Sequence, residues 1–210
     1  MFVEQRQVGQ MAVFSYLVGD EESGEALVID PAEETAAIVA SAKERKVQIK
    51  YIVNTHGHVD HIGGNADMKQ ATGAAIIIHE KDAFMLTHTP EATLRMFGAK
   101  AASPPADRTV RDGDRITVGN VDLQVIHIPG HSPGSMALYT EGYVFTGDTL
   151  FVEAVGRTDF PGGSAEEMFD SIQKRLCTLA DDTVVLPGHH YGSTPTSTIG
   201  HEKQFNPFLR

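Results

Sequence analysis

Short segments of strand character alternating with amphipathic helices predict an α/β (α+β) fold: a layered sandwich of sheets covered by helices. Two observations sharpen this. Four apolar strands run directly into loops bearing His or Asp: Val53 before His56, Ile128 before His131, Phe145 before Asp148, and Leu186 before His189. No low-complexity segment or linker interrupts residues 1–210, which read as a single domain. Loops at strand ends are where a rigid scaffold carries binding and catalytic groups. Four of them imply one convergent site.

The elements follow in order. Residues 11–19 (MAVFSYLVG) and 25–30 (EALVID) flank the turn-like Glu21-Glu22-Ser23-Gly24 and form a predicted hairpin. Residues 34–46 place Ile38, Val39 and Ala42 at helical spacing with a basic end. Residues 50–55 are a short apolar run entering a histidine cluster, 65–72 a helix closed by Gly73, 74–79 a buried strand, and 80–87 a short helix. Residues 88–107 hold Pro90, Pro104 and Pro105 and read as irregular, an active-site flap or a connection. Strand signals return at 114–118, 121–128, 136–140 and 143–146. Residues 164–179 read as a helix with Ser164 as N-cap and Glu167 completing a capping box. A strand at 183–186 and a helix at 198–205 end the pattern.

Composition narrows the function. At 210 residues a chain can bury about 70% of its extended surface, so the core needs no staples. No stretch approaches the ~20 apolar residues of a membrane span. The first ten residues, with Glu4, Arg6 and three Gln, lack a signal peptide's apolar core. The lone Cys177 cannot form an internal disulfide, so a cytoplasmic protein is expected. Net charge is −11, from 28 acidic and 17 basic residues, a field that repels phosphate backbones. The expected partner is a small-molecule substrate, not nucleic acid or membrane, with the chain a monomer or homodimer. Metal-ligating carboxylates would absorb part of the acidic excess.

The strongest local signal is Thr55-His56-Gly57-His58-Val59-Asp60-His61. His56 and His58, two apart, face one side of extended backbone, whereas a helix would splay them. Asp60 and His61 then turn away and can serve a second ion. Imidazole with carboxylate suits zinc, and also iron or manganese. Three further elements are weak alone: Pro129-Gly130-His131, where glycine lets the backbone turn sharply; Thr146-Gly147-Asp148; and Leu186-Pro187-Gly188-His189. Combined with the first they are strong. His79, His88, His127, His190 and His201 are expected to cap, hydrogen-bond or face solvent, with a supporting role open for His190 beside His189. Cys177 reads as a small hydrophobe in a helix.

In this order the motifs resemble those of the metallo-β-lactamase superfamily, from the opening hairpin to Pro207. The resemblance implies an αββα sandwich with the metal site at one edge between the two sheets. It implies His56, His58 and His131 on a first metal, Asp60, His61 and His189 on a second, and Asp148 bridging them. Asp60 and Asp148 are then also the catalytic carboxylates. Gly156-Arg157-Thr158-Asp159-Phe160 and His189-His190-Tyr191 look like glyoxalase II-like (hydroxyacylglutathione hydrolase-like) hydrolases and persulfide dioxygenases. In such relatives the positions of Arg157 and Tyr191 hold the glutathione part of the substrate. The other reading of Arg157 is an internal pair with Asp159 or another acid. β-Lactamases usually place a cysteine where Asp148 stands, which counts against that activity. The C-terminal helical domain of long glyoxalase II enzymes has no counterpart before Arg210.

The implied chemistry is hydrolysis of a small glutathione-type thioester by a metal-bound hydroxide, using two divalent ions, zinc first and iron or manganese next. The alternative is a persulfide dioxygenase with a single Fe(II) on His56, His131 and Asp148. A non-catalytic metal-binding domain would show missing ligands, and every position is filled.

Overall fold

The computed structural model describes residues 1–97, 99 and 101–210. Twelve strands build two six-stranded sheets. The first runs β1 (Phe2–Val8), β2 (Val13–Asp20), β3 (Glu25–Ile29), β4 (Gln48–Asn54), β5 (Ala75–His79) and β6 (Arg108–Val110), in that spatial order. Its first three strands pair antiparallel and β3 to β6 pair parallel. The second contains β7 (Arg115–Val118), β8 (Val121–His127), β9 (Met136–Thr140) and β10 (Tyr143–Gly147). A small ribbon, β11 (Leu150–Phe151) with β12 (Ala154–Val155), precedes its remaining strands β13 (Val184–Pro187) and β14 (Ser197–Thr198). The order in space is β14-β13-β10-β9-β8-β7.

Period-2 alternation sorts side chains into three apolar layers. Phe14, Tyr16, Leu27, Ile29, Val53 and Ile77 from the first sheet meet Ile116, Leu123, Val125, Leu138 and Phe145 from the second. The other face of the first sheet, with Val28, Ile52, Ile76 and Ile78, packs on Ile38 of α1 (Thr35–Glu44) and Met68 of α3 (Asn65–Thr72). The single turn α2 (Val59–Ile62) precedes α3. Ile126, Ala137, Val144 and Val185 on the far side of the second sheet pack on the C-terminal helices. Ile76-Ile77-Ile78 shows why these strands are continuously apolar: consecutive residues enter different layers, and both faces are covered. The result is the expected αββα sandwich. No helix among the described residues is long and apolar enough to cross a membrane.

Five local features differ from expectation. Strand β1 was not expected, because an edge strand carrying Glu4, Gln5, Arg6 and Gln7 has little apolar signal. The helix expected at 80–87 is a turn followed by α4 (Met85–His88). The irregular 88–107 stretch contains α5 (Glu91–Met96), which buries Leu94; its residues 98 and 100 lie outside the described residues. The helix expected at 164–179 is α6 (Ala165–Ser171) followed by a π-helical turn, Ile172–Leu176, that buries both its end residues in one layer. Ser164 caps α6 by accepting from Glu167 N at 3.3 Å, but its own N–H goes to Gly130 O at 2.8 Å instead of to a Glu167 carboxylate. Only half of the capping box forms, and the other half ties α6 to the His131 loop. The closing helix is α7 (Ile199–Phe205), capped by Thr198.

Candidate metal centre

Strands β3, β4, β8, β10 and β13 all point their C-terminal ends to one edge of the sandwich. The loops leaving that edge carry His56 and His58 (after β4), His131 (after β8), Asp148 (after β10) and His189 (after β13). Asp60 and His61 lie on α2, which starts as soon as the His56–His58 segment ends. Gly130, at φ +139, permits the approach on the second-sheet side: a Cβ there would sit 2.4 Å from the Met168 backbone of α6.

The seven side chains come together as two groups. His56, His58 and His131 form one, and Asp60, His61 and His189 the other, the ligand atoms of each lying within 4.8 Å of one another. Asp148 stands between them, 3.6 Å from His131 Nε2, 3.3 Å from His61 Nε2 and 3.2 Å from His189 Nε2.

Groups behind the rings settle which nitrogens face inward. His131 Nδ1 lies 2.8 Å from Arg157 O, and His189 Nδ1 lies 2.8 Å from Met11 O. A carbonyl only accepts, so both Nδ1 atoms carry hydrogen and both Nε2 atoms present lone pairs. His61 Nδ1 donates to Asp30 Oδ2 at 3.0 Å. The Thr55 hydroxyl donates to the same oxygen at 2.7 Å, leaving its own oxygen to accept from His56 Nδ1 at 3.1 Å. Lone pairs then meet at short range where His61 Nε2 and His189 Nε2 are 3.1 Å apart, and His131 Nε2 turns its lone pair to His58 Nδ1 at 2.8 Å. His56 Nε2 and Asp148 Oδ1 are buried without a hydrogen-bond partner. Such an arrangement is satisfied by a proton or a cation and by little else.

The electrostatics agree. Burial, with His61 and His131 nearby, pushes His56 well below its ordinary pKa. Burial and His131 bring His58 to about 4. Burial also disfavours charging His61, but Asp148, Asp60 and Asp30 outweigh it and hold that ring well above its ordinary value. His189 is lowered by burial and lifted further by Asp148 and Asp60, reaching about 9. Burial raises Asp148, yet His61 and His189 keep it well below the carboxylate range. Asp60 follows the same balance and is lowered. The side chains by themselves therefore balance their buried carboxylates by protonating two imidazoles, and divalent cations would supply that positive charge instead. The donor set fits divalent metal.

Around the centre, Arg157 does form the internal pair: its guanidinium donates twice to Asp159, both at 2.7 Å, and lies 4.1 Å over the Phe160 ring. Phe160 in turn stands edge-on to His58 at 5.1 Å. Tyr191 stacks flat on His189 at 4.5 Å, and burial with Asp148 pushes its hydroxyl up to about 12, so it stays a donor at neutral pH. His190 turns away to Gln7 Oε1 at 2.9 Å, and His79 stacks on His127 at 4.2 Å. Sequence reasoning missed Asp30 and Asp82. Asp30 is buried at φ +48, a left-handed conformation that Asp tolerates, and it also accepts from Thr55 N at 2.8 Å. Its signal was the one used elsewhere, since the apolar strand ending at Ile29 runs directly into Asp30.

The metallo-beta-lactamase superfamily profile matches residues 8–189. The chain is 36% identical over 197 residues to hydroxyacylglutathione hydrolase GloC of Haemophilus influenzae, covering 92% of this chain and 91% of that one. It is also 36% identical over 199 residues to the mitochondrial persulfide dioxygenase ETHE1 of Homo sapiens, covering 93% and 71%. Among solved structures, the BLEG-1 B3 metallo-beta-lactamase superposes with a TM-score of 0.89 at 31% identity, over 99% of both chains. TTHA1623, solved in a di-iron-bound form, gives 0.86 at 35% identity over 99% and 100%. With the profile spanning every strand-end loop of the centre, the chain belongs to the metallo-beta-lactamase superfamily of enzymes.

Proposed function

We propose that the protein is a metal-dependent hydrolase of a small, glutathione-type thioester, holding two divalent ions, zinc in this reading. His56, His58 and His131 would hold the first, Asp60, His61 and His189 the second, and Asp148 would bridge them. The observation that carries this is the completeness of both donor groups around one shared carboxylate. When bound, the ions would lower the pKa of a water to about 7 and polarise the thioester carbonyl. Asp60, held ionised beside His61 and His189, accepts a hydrogen bond from the attacking water and orients it. The departing thiolate needs little protonation, so no buried general acid is required. Tyr191 donates to an amide carbonyl of the substrate, and Arg157 pairs with a substrate carboxylate by exchanging it for Asp159.

A second reading is favoured by the likeness to ETHE1, at the same 36% identity as GloC but over 71% of that chain against 91%. In it, His56, His131 and Asp148 hold one Fe(II), and the chain oxidises a glutathione persulfide with O₂. Metal analysis of protein purified without chelator or added metal, followed by assays, separates the two. Two zinc or manganese ions per chain with thioester hydrolysis support the first reading. One iron per chain with persulfide-dependent oxygen uptake overturns it for the second. Hydrolysis of a β-lactam in place of thioesters would overturn both, an outcome to test given the likeness to BLEG-1.

A further inference from the structure

Asp82 lies in the turn between β5 and α4 and ligates nothing in the centre described above, yet it is fully buried. Its Oδ2 accepts from Gly57 N at 3.0 Å and from the Ser132 hydroxyl at 2.6 Å, and its Oδ1 accepts from Gly134 N at 2.6 Å. Gly57 sits between His56 and His58, and Ser132 follows His131. One carboxylate therefore grips two loops that leave different sheets, β4 of the first and β8 of the second. Each partner is a donor, which an ionised carboxylate satisfies and an amide does not. Burying the charge is costly, and three charge-assisted hydrogen bonds, two of them short, offset that cost.

The two loops are shaped to this contact. A Cβ on Gly134 would fall 2.7 Å from Asp82 N, Cγ and Oδ1. One on Gly57 would fall 2.6 Å from Met85 Cβ, on the same turn of chain. Both backbones approach closer than any side chain allows. His127 adds a hold on the second loop, with Nε2 donating to Pro133 O at 2.9 Å. Across the gap that Asp82 spans, His58 Nδ1 and His131 Nε2 face each other at 2.8 Å.

We propose that Asp82 is a positioning residue that sets the separation of His56 and His58 from His131, and with it the affinity of the first metal position; this rests on the reading that these residues hold a metal. The test is a titration of metal-free protein with Zn²⁺ against a chromophoric chelator, on wild type, Asp82→Asn, Ser132→Ala and His131→Ala. Asp82→Asn keeps the shape but turns an NH₂ towards a backbone N–H. It is expected to weaken one zinc equivalent roughly 10- to 100-fold, the one His131→Ala removes, and leave the other at wild-type affinity. Excess zinc should then restore turnover. Wild-type affinity for both equivalents would overturn the proposal, and so would equal weakening of both with a matching fall in Tm. Should Asp82→Asn fail to fold, Ser132→Ala removes one arm only; it should weaken the same equivalent about 3- to 10-fold, and no change would overturn the clamp. A wild-type chain that takes up no zinc, iron or manganese would instead overturn the metal reading itself, and the clamp with it.

Discussion

The candidate metal centre and the rim formed by Arg157 and Tyr191, which the proposed function turns towards substrate, are built differently. In the centre, His56, His61, His131 and His189 are buried, and each has its outer nitrogen fixed by Thr55, Asp30, the Arg157 carbonyl or the Met11 carbonyl. At the rim, Arg157 is exposed and held by a solvent-facing pair with Asp159, and Tyr191 is exposed with its ring resting on His189. A buried group held on two sides keeps its geometry to fractions of an ångström, which metal chemistry requires. Exposed pairs are worth little and exchange readily. The fold therefore holds the histidine cluster rigidly and the rim lightly, in keeping with a superfamily whose members GloC and ETHE1 carry different activities.

The most forceful break of that comparison is Asp148→Ala, which should abolish turnover and lower metal content. Near wild-type turnover with two ions bound would show that the carboxylate does not bridge. Asp30→Asn attacks the centre from behind by weakening the acceptor for His61 and Thr55. A loss of roughly 10- to 100-fold in metal affinity, read by chelator competition, is expected, with substrate KM unchanged.

Metal removal sharpens the contrast through pH. His61 and His189 have folded pKa values raised above their unfolded value, so the stability they contribute is fully present below about pH 6.5 and is lost as pH rises through their folded values, about 9 for His189. The Tm of chelated protein should therefore fall across that window, while loaded protein, whose imidazoles are neutral ligands, should stay flat. Parallel profiles for both forms would count against cation replacement of these protons.

Effects at the rim should be smaller. Arg157→Ala should raise KM roughly 10-fold for a carboxylate-bearing thioester with kcat nearly unchanged, the mark of binding energy shared by ground and transition states. Smallest of all is Tyr191→Phe, which keeps the stack on His189 and loses one hydrogen bond; about a 3-fold rise in KM is expected from steady-state kinetics. A collapse of kcat in either rim variant would erase the distinction between the regions.

The centre was far more legible than its supports. His56, His58, Asp60 and His61 fall within six residues, so one short segment discloses its chemistry without any fold. His131, Asp148 and His189 became readable because each follows an apolar strand, and that rule reports position along the chain. Asp30 obeys the same rule but was read as the last residue of the hairpin strand 25–30, so it passed for part of that strand. Asp82 obeys no rule, since two of its three partners are backbone N–H groups at positions 57 and 134, which nearly every residue type possesses, and the third is the hydroxyl of the distant Ser132.

By itself, then, the sequence determined the layers and the donor types. Alternation and apolar runs dictate which faces are buried, and imidazole with carboxylate dictates what they can bind. Only the tertiary structure decided the tautomers of His56, His61, His131 and His189, the pairing of Arg157 with Asp159, and the carboxylates that hold the loops in register. Those depend on atoms brought together from distant parts of the chain, His189 beside Met11 and Asp82 beside Gly134, and hydrogen bonding is short-ranged and directional. Hydrophobic burial, being neither, leaves its periodic trace in the sequence.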